Sequence, residues 1–259
     1  MIHRPRKRFG QNFLVDEQII ADIISAIRPA EQDNMVEIGP GLGALTRSLL
    51  MRLNQLHVIE IDRDIIARLE HEYPRSKLVI HAGDALQFDF AQLSAPLRVV
   101  GNLPYNISSP LLFHVAAYRD RIADMHFMLQ DEVVERMVAS HSTPAYGRLS
   151  VMLQSRFYME KLFEVPPQSF RPVPKVNSAI VRMIPLPPDK IPIQNSELFA
   201  EIVTAAFSQR RKTLRNTLKT YLTDAQLAQL GIAPQMRAEN LQVEDFARIA
   251  NWIHETSKI

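Results

Sequence analysis

The sequence predicts a doubly wound α/β domain followed by a small all-helical domain. Three observations carry this expectation. Short apolar runs alternate with helical periodicity between residues 35 and 130, and a glycine-rich turn separates the first run from the helix after it. A proline-rich stretch from Pro185 to Pro192 is then followed only by helical patterns. Strands alternating with helices at this spacing imply a parallel sheet covered on both faces. The expected division is 1–187 and 188–259.

Each element has its own signal. Asp16 is placed to cap a helix whose Ile19, Ile20, Ile23, Ile24 and Ile27 recur at helical spacing, ending at Arg28-Pro29. Met35 to Ile38 reads as a strand, broken by Gly39-Pro40-Gly41-Leu42-Gly43. Ala44 to Leu53 reads as a helix, Leu56 to Ile61 as a buried strand, and Asp62 to Tyr73 as a helix through Ile65, Ile66 and Leu69. Leu78 to Ile80 and Leu97 to Val100 are further strands; Ser109 to Tyr118 is a helix, and Met125 to Gln130 a strand. Past Gln130 the pattern loosens, to a helix over Asp131 to Ala139 and a strand over Ile180 to Ile184. Beyond the linker, helices are expected over Glu197 to Phe207 and Thr213 to Leu222. Thr223 with Gln226 makes a capping box for a third, stopped by Gly231, and Phe246, Ile249, Ala250 and Ile253 mark a last one.

Composition narrows the class of protein. Hydrophobic content of 46% and charged content of 22% are ordinary for a soluble globular chain. No apolar run approaches the roughly 20 residues of a membrane helix. Phe9-Gly10-Gln11-Asn12 stands where a signal peptide would place its apolar stretch, so a cytoplasmic location is expected. The absence of cysteine excludes disulfides, thiolate metal sites and a cysteine nucleophile. The 8 histidines are scattered without ligand spacing, so no metal is expected. Net charge is only +2, but its distribution is uneven. Arg4, Arg6, Lys7 and Arg8 form one basic cluster, and Arg210, Arg211, Lys212, Arg215 and Lys219 another. Local basic patches are what phosphate backbones respond to. The second cluster, read as helical, places residues 211, 212, 215 and 219 on one side.

The glycine turn joins a strand to a helix, where backbone can approach a ligand closely and unpaired N–H groups face it. Glu60 follows about 20 residues on, at a strand end where an acid binds ribose hydroxyls. These features alone also suit a nicotinamide dehydrogenase, because Gly39-Pro40-Gly41-Leu42-Gly43-Ala44 satisfies a dinucleotide fingerprint. Gly83-Asp84 offers a carboxylate to an adenine amino group, and Asn102-Leu103-Pro104-Tyr105 has no role in hydride transfer.

That tetrapeptide suits S-adenosylmethionine-dependent methylation of an adenine amino group. The amino nitrogen is a poor nucleophile because its lone pair is delocalised into the ring. The Asn102 side-chain oxygen and the Leu103 carbonyl can both accept its N–H bonds, and acceptors fixed where positive charge develops lower the barrier. Pro104 stiffens the loop. Tyr105 offers a stacking face, worth about 1–3 kcal/mol per base. The alternative chemistry at cytosine C5 needs a cysteine, and none is present.

With these residues the chain resembles the ribosomal RNA adenine N6,N6-dimethyltransferase family, in its bacterial small-subunit branch. The resemblance spans nearly the whole chain. It runs through Lys7 to Leu14, Glu37 to Gly43, Gly101 to Ser108, Phe170 to Val176 and Gln209 to Asn216. It implies a Rossmann-like class I methyltransferase domain with a small helical RNA-binding domain. It further implies that Asn12 and Leu14 close over the methionine end of the cofactor, Gly39 lines its loop, Glu60 binds its ribose and Asp84 its adenine. Asn102 then acts on the methyl-transfer side, and Phe170 faces Tyr105 so that the target base lies between aromatics. The two basic clusters supply the expected RNA contacts, Arg6, Lys7, Arg8, Arg210, Arg211, Lys212 and Arg215. The implied substrate is a pair of adjacent adenosines in a hairpin loop near the 3′ end of 16S rRNA, within a pre-30S particle. A monomer is expected. Two other readings stand beside this one: the related large-subunit enzyme that confers antibiotic resistance, and an assembly factor whose main role is binding.

Overall fold

The computed structural model describes residues 12–257. In chain order it comprises β1 (Phe13–Leu14), α1 (Glu17–Ile27), β2 (Asn34–Ile38), α2 (Ala44–Leu50), β3 (Leu56–Glu60), α3 (Arg63–Glu72) and β4 (Leu78–Ala82). These are followed by β5 (Leu97–Asn102), α4 (Ser108–Ala116), β6 (Ile122–Gln130), α5 (Asp131–Val138), α6 (Arg148–Gln154), β7 (Phe157–Val165), β8 (Phe170–Arg171) and β9 (Ser178–Pro185). Four helices complete the chain: α7 (Ser196–Ala206), α8 (Leu214–Thr217), α9 (Asp224–Gln229) and α10 (Val243–Thr256).

The main sheet has the order β4-β3-β2-β5-β6-β9-β7. Strands β4 through β6 in that order are mutually parallel, and β9 runs antiparallel to β6 with Phe127 opposite Val181. Strand order reverses at β2, whose neighbours β3 and β5 lead the chain away in opposite directions. In open α/β sheets the crevice at the carboxyl ends of strands flanking such a point is where ligands bind.

Local chemistry explains the elements that hold this edge. Asp16 caps α1 by accepting from Gln18 N and Ile19 N at 3.1 and 3.3 Å, while Ile20, Ile23, Ile24 and Ile27 face inward. The base of the sheet is tied by Arg98, which reaches Asp33 at 2.5 Å, Asp124 at 2.8 Å and the carbonyls of Ile27 and Arg28. A guanidinium serves there because its fork of donors matches two carboxylates at once.

The chain forms two compact units, residues 1–134 with 159–185 and residues 135–158 with 186–259. This differs from the expected division near 187, because Glu135 to Tyr158 joins the helical unit. The sequence pattern was weak here: α6 is only two turns long and lies between turn-rich segments. Within this unit α7 packs on α10 and α6, with Phe199, Ile202, Val203, Phe246 and Ile249 buried. The capping box at Thr223 and Gln226 is present. The helix expected over Thr213 to Leu222 shrinks to the single turn of α8, and residues 208–212 form turns. A basic face shared by residues 211 to 219 therefore does not form.

Candidate active site

The loops after β2, β3, β4 and β5 meet at one edge of the sheet and enclose a cavity of about 260 Å³. Backbone bonds carry the strand pairing past the strand ends and fix this edge. Gly39 N donates to Ile59 O at 2.9 Å, Gly83 N to Glu60 O at 2.8 Å, and Leu103 N to Met128 O at 3.1 Å. Asn12, Leu14, Gly39, Glu60, Asp84, Asn102, Leu103 and Tyr105 all line the cavity, so residues spread over more than ninety positions converge.

Gly41 has φ +54°, and a Cβ on it would lie 3.1 Å from the Phe13 ring. Both the backbone conformation and the closeness of the N-terminal strap require glycine. Gly101 is required for a different reason: a Cβ there would come within 2.6 Å of the Ile38 carbonyl, forcing β2 and β5 apart beside the site.

The acids occupy distinct environments. Glu60 is nearly buried, and its Oε1 accepts from Ile61 N and Asp62 N, each at 2.8 Å. Burial raises its pKa, opposed by the N–H groups of Asp62, Ile61 and Gly41. Asp84 accepts from Leu86 N at 2.9 Å, which orients its carboxylate along the cavity wall. Glu37 received no role from the sequence, yet it is the most deeply buried acid of the site. Its Oε2 accepts from Thr46 Oγ1 at 2.7 Å. Burial pushes its pKa up to about 7, against the pull of the Thr46 hydroxyl, with repulsion from Glu60 adding to the rise. The clue available in the sequence was an acid inside the otherwise apolar run before the glycine turn.

Asn102 Nδ2 donates to the Asn12 carbonyl at 3.0 Å. Since that partner can only accept, the amide nitrogen must face it, and the side-chain oxygen is left as the group that accepts. Tyr105 is half-buried, and its hydroxyl meets Ser178 Oγ at 2.7 Å, fixing the ring at the cavity rim.

Phe170 requires a correction. It lies opposite Leu14 in the two-stranded β1–β8 ribbon, has no exposed surface, and packs in the core with Phe13, Leu14, Val165 and Ile180. It does not line the cavity, and a ring without a free face cannot stack on a base in this conformation. Its position instead anchors the strap that carries Asn12. Val15 N donates to Ser169 O at 2.9 Å, and Ser169 Oγ donates to Asp16 Oδ2 at 2.9 Å, both next to that anchor.

Of the expected RNA contacts, Arg6, Lys7 and Arg8 lie outside the described residues. Arg211 and Lys212 are exposed, whereas Arg215 pairs with Asp224 at 2.5 Å and Arg210 donates to Pro144 O at 2.9 Å. Among the described residues no group of three or more His, Asp or Glu is placed to hold a metal, and no helix is long and apolar enough to cross a membrane.

A switch-point crevice with a glycine turn, an acid at the end of β3, a second acid after β4 and Asn-Leu-Pro-Tyr at the end of β5 defines an S-adenosylmethionine-dependent methyltransferase of the Rossmann-like class. The model of the family described as "Ribosomal RNA adenine dimethylase" matches residues 2–255, and the chain belongs to that family. It is 61% identical to the "Ribosomal RNA small subunit methyltransferase A" of Nitrosospira multiformis, covering 98% of each chain. Among solved structures it resembles a dimethyladenosine transferase from Plasmodium falciparum, with TM-score 0.81, 27% identity and coverage of 95% and 98%. It also shares the fold of the 23S rRNA methyltransferase ErmE, with TM-score 0.73, 24% identity and coverage of 94% and 100%.

The cavity's donor set fits S-adenosylmethionine. Two carboxylates sit on successive strand ends, a buried acid lies at the floor, and the backbone is glycine where a side chain would intrude. When bound, that cofactor supplies an electrophilic methyl group.

Proposed function

We propose that this ribosomal RNA adenine dimethyltransferase acts on the small subunit. The proposed target is two adjacent adenosines in the hairpin loop near the 3′ end of its RNA, in a cytoplasmic precursor particle, with the enzyme working as a monomer. The high identity over the full chain to proteins named for the small subunit supports this choice over the large-subunit alternative. A role in subunit assembly is compatible with the same binding event.

The observation that carries the catalytic reading is the Asn102 amide, turned by its bond to the Asn12 carbonyl. In this reading Asn102 Oδ1 and the Leu103 carbonyl accept the two N–H bonds of the target amino group. This draws the lone pair toward the methyl donor and stabilises the positive charge developing on nitrogen. No strong base is required, since the product ammonium loses its proton readily. Tyr105, held through Ser178, stacks on the base. Glu60 takes the ribose hydroxyls, Asp84 the cofactor adenine, and Gly39 with Asn12 and Leu14 shapes the methionine end.

Asn102→Ala tests the assignment. Single-turnover methyl transfer is expected to fall about 100-fold or more, while cofactor affinity measured by calorimetry changes little. Undiminished turnover would remove Asn102 from the mechanism.

A further inference from the structure

The helical unit contains a second cavity, of about 290 Å³, that the methyl-transfer chemistry does not use. Its walls are aromatic and small: Tyr146 and Phe207 meet edge to face at 6.1 Å, beside Ala145, Gly147 and Ala206. The Tyr146 hydroxyl itself is buried and has no hydrogen-bond partner among the described residues. Burial and the nearby acids Glu244 and Asp245 raise its pKa, so it remains a protonated donor. Arg136, Arg148 and Arg210 border the cavity and are exposed. The acid among the lining residues, Glu239, is approached at 4.0 Å by both Arg210 and Arg237, whereas Arg136 and Arg148 have no ion pair among the described residues.

We propose that this cavity receives one unstacked nucleotide of the ribosomal RNA substrate, distinct from the adenosine being methylated, with Arg136 and Arg148 on its flanking phosphates. The inference rests on the reading of this chain as an enzyme acting on folded RNA. A space of about 290 Å³ has room for a base and none for a duplex. Single-stranded bases splayed from RNA are held on aromatic side chains, and cations at the opening complement the backbone on either side of such a base. A peptide side chain could enter the same space, but two unpaired arginines at the rim favour a polyanion. The nucleotide is thus a second anchor, which sets affinity for the particle and leaves the chemical step alone.

Gly147 makes a clean test possible. A Cβ there would meet nothing within 4 Å, and its φ of −166° is extended backbone open to any residue. Gly147→Phe is expected to fill the cavity and raise KM for the particle about tenfold, with kcat at saturation and cofactor affinity unchanged. Arg136→Ala with Arg148→Ala, both on the surface, is expected to weaken binding and lower the salt slope by about 1–2. Benzoylphenylalanine at position 147 should cross-link to one RNA nucleotide that is not the methylated one. Unchanged KM and salt slope in these variants, or cross-links to ribosomal protein only or to nothing, would overturn the proposal. The assays use whichever ribosomal particle the wild-type enzyme methylates, so an error in the small-subunit assignment shows in the wild type and is separable from failure of this cavity.

Discussion

Glu37 and Asn102 show how much of the site depends on single groups held by one neighbour. Glu37 is buried with the Thr46 hydroxyl on its Oε2, and its pKa of about 7 stands well above the ordinary 4.5. The folded state therefore binds a proton that the unfolded chain releases. Between about pH 4.5 and 7 this group's contribution to stability falls as pH rises, reaching a loss of about 3 kcal/mol above pH 7. Denaturant titrations of the cofactor-free protein from pH 5 to 8 should show Glu37→Gln gaining on the wild type across that window. Parallel pH dependence in the two proteins would mean that Glu37 is ionised throughout. The same burial makes a neighbouring cation favourable, so binding of the positively charged cofactor should be accompanied by proton release near neutral pH.

At the scale of elements, the N-terminal strap and the Phe170 segment form one device. The β1–β8 ribbon clamps Asn12 against Asn102, and Phe170 is the buried weight beneath it. Phe170→Ala should cost about 3–5 kcal/mol of stability. Phe170→Leu should cost about 1–2 kcal/mol and retain methyl transfer, because the position serves as packing. A large loss of kcat in a stably folded Phe170→Leu would return Phe170 to the target base. The sequence made the parallel sheet and its glycine turn readable, because buried strands and a strand-turn-helix junction leave strong patterns over a few residues. It did not reveal β7, whose Tyr158, Glu160 and Glu164 dilute its apolar signal, or β8, which is two residues long. Phe170 was expected at the target base by resemblance alone, since its local sequence does not show the pairing with Leu14, more than 150 positions away, that accompanies its burial. Conversely, the run Arg210 to Lys219 reads as a helix by periodicity, yet turns and the Arg215–Asp224 pair break the common face.

For the whole molecule, the proposed function draws on different units of the chain for catalysis and for RNA capture. The α/β unit supplies the crevice, and the helical unit exposes Arg211 and Lys212, which form no ion pair among the described residues. Arg211→Ala with Lys212→Ala should weaken particle binding and reduce the slope of log K against log salt by about 1–2, while leaving cofactor affinity untouched. An unchanged slope would make these two charges ordinary solvated surface. The central claim is the specificity of methyl transfer for the small subunit. It is tested most directly by incubating the enzyme with labelled S-adenosylmethionine and separate unmodified small-subunit and large-subunit particles, then mapping the labelled bases. The account predicts N6,N6-dimethyladenosine at two adjacent positions in the 3′-terminal hairpin of the small-subunit RNA and no label in the large subunit; label confined to large-subunit RNA, or on any base other than adenine, would contradict it.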